Sequence, residues 1–572
     1  MNFFFKKNYL IVLCLIFIFL DSEANSKSKN AHYSKEDISN YFIGIVSANQ
    51  DYTGTAFEHL NNVEFLKNKH NNFKVEYIRT LVLLEKFDQA FSFSKSIWSA
   101  DEFFFEADLL LGLKSFLDKD YHNAEKYFKR LNKVSGQNFI FNDLFGNVLM
   151  SWMHASKNNK IDSFIYFDRI PDRYNNLKKI QNSLLHCYFN SSETLGVFNK
   201  LIEHQDYSFS RYNFFLSNYL FFNNKEEQAA KVIARGKEKH HTNLLLKQSE
   251  QFILEKKSKW IKSFYNCKNS KDNIAEFFYV IANLYSSEKA YQLSNFYLNI
   301  SLLLNKKFTP NKTLLAENLF YQKKYELSKR TYRSIKKIGS VYSWHSSKNI
   351  STISLITSNK KNSVSILKKA FDLIPNPNFE HYYDLANFYK DNGYYKESIK
   401  YYSLTLKNLK EDHFLIPKIL DRRGTSYERI GEWDKAEKDL TESLRILPEQ
   451  PYVLNYLAYS WIEKKINIDK ALEMLKKAML LKKNDGYIID SLGWAYYANK
   501  NYIAAEKFLQ RAVKLMPLDP VINDHYADSL WMLNKNIQAR YFWKYVLNLD
   551  NTEDELKESI SNKLVFGVNK KS

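Results

Sequence analysis

"DSLGWAYYANKNYIAAEKFLQRAVKLMP", residues 490–517, holds two helical faces joined by a short polar turn. Ile489, Leu492, Gly493 and Tyr496 fall on one side of a first helix. Ala505, Leu509 and Ala512 fall on one side of a second by the i, i+4, i+7 rule. "ANKN" supplies the turn between them, and Pro517 stops the second helix. Gly493 and Ala505 are small where two backbones have to approach, so the segment reads as a helical hairpin. One hairpin cannot bury both of its faces and has to stack on copies of itself.

The spacing recurs along the chain. Gly424, Ala458, Gly493 and Ala527 are 34, 35 and 34 residues apart. Ala282, Ala316, Ser351 and Ala386 follow the same step upstream, and Gly44, Ile78, Gly112 and Gly146 repeat it near the start. A second small residue follows twelve later, as in Ala90, Ala124, Ala229, Ala436, Ala505 and Ala539, with Ala471 displaced by one. Low Gly and Pro counts, 14 and 9 in 572 residues, starve β-hairpins and sandwiches of turn residues and favour long helices. The expectation is an all-α, right-handed superhelical solenoid of antiparallel helix pairs, about fifteen units long.

Gly493, Tyr496, Ala505, Ala512 and Pro517 form a pattern that resembles the tetratricopeptide repeat. "RRGTSYERIGEWDKAEKDLTESLRILP" matches it again through Gly424, Tyr427, Ala436, Ser443 and Pro448. Five well-formed repeats are expected over 379–550, carried by Gly424, Ala436, Ala458, Gly493, Ala505, Pro517, Ala527 and Ala539. Degenerate repeats fill 25–378, with Ser in place of several second alanines. "DGYIIDSLGWAYY" with "DPVINDHYADSLWMLNKNIQARYFW" resembles the C-terminal part of bacterial secreted or lipid-anchored repeat proteins. That resemblance implies an adaptor role, which in some such proteins serves periplasmic carboxy-terminal processing proteases. Residues 551–572 read as a closing helix and tail, with Thr552 and Glu555 as its capping box and Leu556, Ile560 and Leu564 as its apolar stripe.

At the other end, Lys6 and Lys7 precede an apolar run from Tyr9 to Leu20, and Ser22-Glu23-Ala24 follows it. The pattern predicts a signal peptide over 1–24, cleaved after Ala24, since a run of this length falls short of the roughly 20 residues that span a bilayer. Leu13 before Cys14 does not fit a lipidation signal. The mature chain is then exported, and periplasmic in a Gram-negative cell. Cys187 and Cys267 are 80 residues apart, more than two repeat lengths, which predicts two free, mostly buried thiols.

In this repeat class the first helix of each hairpin lines the binding surface. Offsets from the small marker then select a peptide-binding groove of Asp421, Asn455, Tyr459, Asp490, Trp494, Tyr497, Asp524 and Trp531, aromatic with an acidic ladder. The alternative is that these acids bond to the neighbouring repeat and the aromatics pack there. The sign is opposite to that of the Lys, Asn and Arg clamp by which some tetratricopeptide domains hold an acidic chain end.

No nucleophile elbow, phosphate loop, H-E-x-x-H or C-x-x-C occurs, so no catalytic residue, metal, cofactor or small-molecule substrate is expected. The formal charge of +20 comes from lysine interleaved with glutamate over solvated faces, and nucleic acid is not the favoured partner. The leading expectation is an exported, non-enzymatic scaffold that binds one or more envelope proteins. The alternative is an anionic-polymer binder that uses the basic, aromatic stretches "LEKKSKWIKS" and "SKRTYRSIKKIGS". Peripheral association with a membrane or an envelope polymer is compatible with either.

Overall fold

The computed structural model describes residues 33–133, 141, 143–203 and 209–568, so the signal segment lies outside the described residues. These contain helices and no strand, and divide into two compact units at Thr331.

The first unit begins with the pairs α1 (Lys35–Asn49) and α2 (Thr53–Asn62), α3 (Asn71–Leu83) and α4 (Phe87–Ile97), and α5 (Phe105–Leu117) and α6 (Tyr121–Leu131). There follow α7 (Phe145–Ser156) and α8 (Lys160–Asp168), α9 (Asn175–Tyr188) and α10 (Thr194–Ile202), and α11 (Tyr212–Phe222) and α12 (Glu226–Lys239). It continues with α13 (Leu244–Leu254) and α14 (Lys259–Phe264), α15 (Ser270–Ser287) and α16 (Tyr291–Leu304), and α17 (Lys312–Tyr321). The boundary falls inside α18 (Tyr325–Ile335).

The second unit holds α19 (Ser340–Thr357) and α20 (Lys360–Asp372), α21 (Phe379–Asp391) and α22 (Tyr395–Lys407), and α23 (Ile416–Arg429) and α24 (Trp433–Ile446). The last pairs are α25 (Pro451–Glu463) and α26 (Ile468–Leu481), α27 (Gly486–Ala498) and α28 (Tyr502–Leu515), and α29 (Pro520–Met532) and α30 (Asn536–Leu547). α31 (Asp554–Phe566) closes it. Among the described residues the first thirty helices make fifteen hairpins.

The repeat is visible in the backbone. The turn between the two helices of a hairpin places one residue in the left-handed region at Asp51, Glu85, Lys119, Asn158, Asn190, Asn224, Lys256, Lys289, Lys323, Gly393, Gly431, Lys465, Lys500 and Asn534. That conformation lets the turn close in a few residues, and glycine occupies it in only two repeats.

The small markers do what their spacing requires. A Cβ on Gly112 would sit 2.5 Å from the Phe128 ring, and one on Gly493 would sit 2.6 Å from Leu509 Cγ. Ala436, Ala458, Ala505, Ala527 and Ala539 have no exposed surface, and Gly424 packs against Leu440 of α24. Pro517 follows the last residue of α28 by two. Asp485 and Asp519 cap α27 and α29 by accepting from the backbone N–H groups of the first turn.

In the first unit the chain comes back on itself. Helix α16 is buried along most of its length, and α15 is buried from Asn273 to Phe278 and again at Ile281 and Ala282. Phe145 of α7 meets Phe277 of α15 at 5.2 Å and Tyr297 of α16 at 5.7 Å. Asn299 of α16 donates to the carbonyl of Val82 at 3.0 Å, and Gln292 donates to Ala48 at 2.8 Å. These carbonyls lie in the last turns of α3 and α1, where each also accepts a backbone N–H, from Glu85 and Asp51, and the distant amide side chains add a second bond. Arg211, just before α11, donates to both oxygens of Glu276 at 2.8 and 3.0 Å and to Asn311 at 2.7 Å.

This return corrects the expectation of free thiols. Cys187 of α9 and Cys267, in the loop before α15, form a disulfide with their Cα atoms 5.9 Å apart. Residues more than two repeats apart meet because α15 packs back on α9 as well as on α7. The closing helix also differs in one detail. It starts after Glu553 with no side-chain cap, and the Thr552 hydroxyl instead donates to Val546 at 2.7 Å. The expected capping box is absent because the Thr552 side chain is buried against the end of α30. Ile560 is fully buried and Leu556 and Leu564 pack around it, as the stripe requires.

Candidate functional site

The eight groove positions lie on α23, α25, α27 and α29, the first helices of four successive hairpins. Their side chains make a continuous face. Asp421 faces Lys390 of α21 and Tyr456 of α25, Tyr459 faces Asp490 of α27, and Trp494 meets His525 of α29.

The face is not uniform. At its C-terminal end the polar groups are consumed within the chain. Asp490 is buried, and His525 Nδ1 lies 3.1 Å from both of its oxygens. Burial opposes the imidazolium. Asp490, hydrogen-bonded to it, and the nearby Asp524 and Asp528 outweigh that penalty and raise the His525 pKa above its ordinary value. The imidazole stacks on Trp494 with ring centres 4.0 Å apart, and Trp494 stacks on Tyr497 at 4.5 Å. Trp494 Nε1 donates to Glu463 at 2.8 Å, so the indole is fixed at both its face and its edge.

One repeat further on, Lys563 of α31 donates to both oxygens of Asp524 and to Asp528 Oδ2, each at 2.8 Å. Trp543 Nε1 donates to the other Asp528 oxygen at 3.1 Å. Burial, reinforced by the adjacent Asp524 charge, pushes the Asp528 carboxyl up to about 6. Trp531 is covered by Gly567, which follows α31, and by the Arg540 guanidinium 4.9 Å from the ring centre.

The middle of the face is different. Asn455 Oδ1 is buried and accepts no hydrogen bond. Burial pushes the Tyr459 hydroxyl well up, with Glu463 and Asp490 adding to it. Burial also raises Asp421, while Lys390, Arg422 and Lys418 draw it down. Arg422 itself donates to Asn387 of α21 at 2.7 Å.

The offset rule therefore selects residues on one side of four successive first helices and does not tell which of them are bonded within the chain. His525 and Lys563 escape the sequence reading. His525 carried a usable signal, since it stands 35 residues after Asp490, one repeat on. Lys563 carried none, because its 39-residue separation from Asp524 matches no repeat step and its position depends on how α31 folds back.

Among the described residues no group of three His, Cys, Asp or Glu side chains is placed to hold a metal ion. In the same residues no helix is long and apolar enough to cross a membrane. In the basic stretches, Trp260 stacks on Phe252 at 6.1 Å and is half exposed.

Comparison with known proteins gives three findings. The sequence model of the tetratricopeptide repeat matches residues 380–406 and 489–517, which are the hairpins opened by α21 and α27. The TPR repeat-containing protein PA4667 of Pseudomonas aeruginosa is 29% identical over 99 residues, so the match spans 17% of this chain and 17% of that protein. Solved structures with similar helical stacks include a tetratricopeptide repeat protein from Parabacteroides merdae, 21% identical, with a TM-score of 0.33 over 39% of this chain and 86% of that one. MamA from Desulfovibrio magneticus is 17% identical, with a TM-score of 0.28 over 31% of this chain and 97% of that one.

Proposed function

From the premise that the chain is a tetratricopeptide-repeat protein, we propose that it is an exported, non-enzymatic scaffold that holds an envelope protein on the face formed by α23, α25 and α27. The observation that carries this reading is the unpaired middle of that face. Buried polar atoms are nearly always bonded, and Asn455 Oδ1 has no partner between an acidic end that is internally satisfied and the arginine-bearing repeat before it. A peptide laid along Asp421, Asn455 and Tyr459 buries its apolar side chains on Tyr459 and Tyr497, and rotation of the part-exposed Asn455 side chain brings Oδ1 out to its backbone donors.

Two features support export. One is the apolar run Tyr9 to Leu20 followed by Ser22-Glu23-Ala24. The other is the Cys187–Cys267 disulfide, which persists in oxidising compartments and is rare where thiols are kept reduced. A processing protease is the partner class that the resemblance of the C-terminal repeats suggests. Cross-linking in cells followed by mass spectrometry, with Asn455→Ala and Tyr459→Ala in parallel, tests the reading. Loss of one envelope protein in both variants is the expected result, and an unchanged partner set removes the face from consideration.

A further inference from the structure

Among the described residues α31 follows the last hairpin of the second unit without a hairpin partner of its own, and its end lies on the groove. Lys563 bonds to Asp524 and Asp528, and Gly567 covers Trp531. Relative to the small marker Ala527, these three residues occupy the offsets that in the preceding repeat belong to Asp490, Trp494 and Tyr497. The last position of the groove is therefore filled by the chain's own C-terminal segment.

That segment is anchored through Lys563 and through Ile560, its one buried residue, with Leu556 and Leu564 packed beside it, while Val565 and Phe566 are 67% and 80% exposed and its N-cap residue makes no side-chain bond. Its departure exposes Trp531, removes the cation from two buried carboxylates, and alters the field at His525, on which Trp494 stacks. Two buried carboxylates left without a cation are strongly disfavoured, so the exchange is favourable only when the incoming segment brings an ammonium group of its own.

We infer that α31 is an autoinhibitory strap on the terminal groove position, displaced by a partner segment that presents a lysine to Asp524 and Asp528. The inference rests on the reading of this face as a protein-binding groove. It adds that the strap lowers affinity for every lysine-bearing partner by the factor needed to unseat Lys563, and that a partner segment without a cation gains nothing from the strap's release.

The probe is a fluorescein-labelled peptide of residues 553–568, titrated by anisotropy into the full mature chain. Two variants loosen the strap independently. Lys563→Ala removes its cation. Gly567→Ala leaves every charge in place but puts a Cβ into the Trp531 ring at a residue whose φ is +70°. Both variants are expected to bind the peptide at least tenfold tighter than the unaltered chain. A peptide carrying Lys563→Ala is expected to lose that gain, as is the Gly567→Ala chain combined with Asp524→Asn and Asp528→Asn. Equal affinity for the unaltered and Gly567→Ala chains overturns the inference, as does indifference to the peptide's lysine. Amide exchange of α31 in Gly567→Ala gives a reading independent of binding, and exchange no faster than in the unaltered chain overturns it too. Retention of the Asn455-dependent partner alongside either negative result shows that the strap, and not the groove, has failed.

Discussion

His525 Nδ1 lies 3.1 Å from each carboxylate oxygen of Asp490, joining α29 to α27 through a charged hydrogen bond beneath the stacked Trp494 ring. The pKa of His525 is raised by this contact, so the folded chain binds the proton more tightly than the unfolded one. Its contribution to stability is complete below about 6.5, the ordinary histidine value, and is lost as pH rises through the higher folded value. Asp528, pushed up to about 6 by burial, acts with the same sign at lower pH, since stability falls as it ionises between 3.8 and about 6. Amide exchange in α27 and α29, corrected for its intrinsic pH dependence, is thus expected to be slower at pH 5.5 than at pH 8. Asp490→Asn should flatten the upper part of that profile. Protection that increases toward pH 8 contradicts the assignment.

Gly493 and Gly196 make a paired test of the repeat geometry. A Cβ at Gly493 would lie 2.6 Å from Leu509 Cγ and 3.1 Å from Leu509 N, so Gly493→Ala should cost about 1–3 kcal/mol in urea unfolding. Nothing lies within 4 Å of a Cβ at Gly196 in α10. Gly196→Ala should gain about 0.5–1 kcal/mol through the lower backbone entropy of the unfolded chain.

Reduction of Cys187–Cys267 opens a covalent loop that spans 80 residues. Loop-closure entropy for a loop of that length predicts a loss of up to about 4.5 kcal/mol from the first unit, read as a lower melting temperature in reductant. The double variant Cys187→Ala, Cys267→Ala should melt where the reduced protein does and stop responding to reductant.

Glu276 is buried, and the largely covered Arg211 guanidinium is doubly bonded to it. Arg211→Met leaves Glu276 as an uncompensated buried charge and should cost about 3–5 kcal/mol. Adding Glu276→Met should recover most of that loss. If the double variant is as unstable as the single one, the pair contributes chiefly through packing on Tyr279 and Phe308, whose rings lie 4.0 and 4.8 Å from the guanidinium.

Asn455→Ala removes an acceptor that bonds to nothing within the chain. The urea midpoint should stay within about 0.5 kcal/mol of the unaltered value, while partner capture falls. A large loss of stability would mean that the side chain is structural.

The fold was legible where contacts are local. The markers Gly44, Gly112 and Gly493 each meet a residue 16 positions on, Leu60, Phe128 and Leu509, so one repeat length contains both sides of the contact. The candidate face was legible for the same reason, because a constant offset from the marker fixes the side of the first helix. Its occupancy was not. Asp421, Asn455, Asp490 and Asp524 share one offset, yet Asp490 is held by His525, Asp524 by Lys563, and Asn455 Oδ1 by nothing.

The sequence by itself determined the hairpins, their period and the small residues at which they nest, since a stack of like units needs only nearest-neighbour complementarity. The tertiary structure decided what repeats far apart do. Small rotations between successive hairpins accumulate until α15 and α16 return to α3 and α7. That return makes partners of Cys187 and Cys267. It also took the folded chain to bring Lys563 against Asp524, because no periodic pattern records where α31 comes to rest.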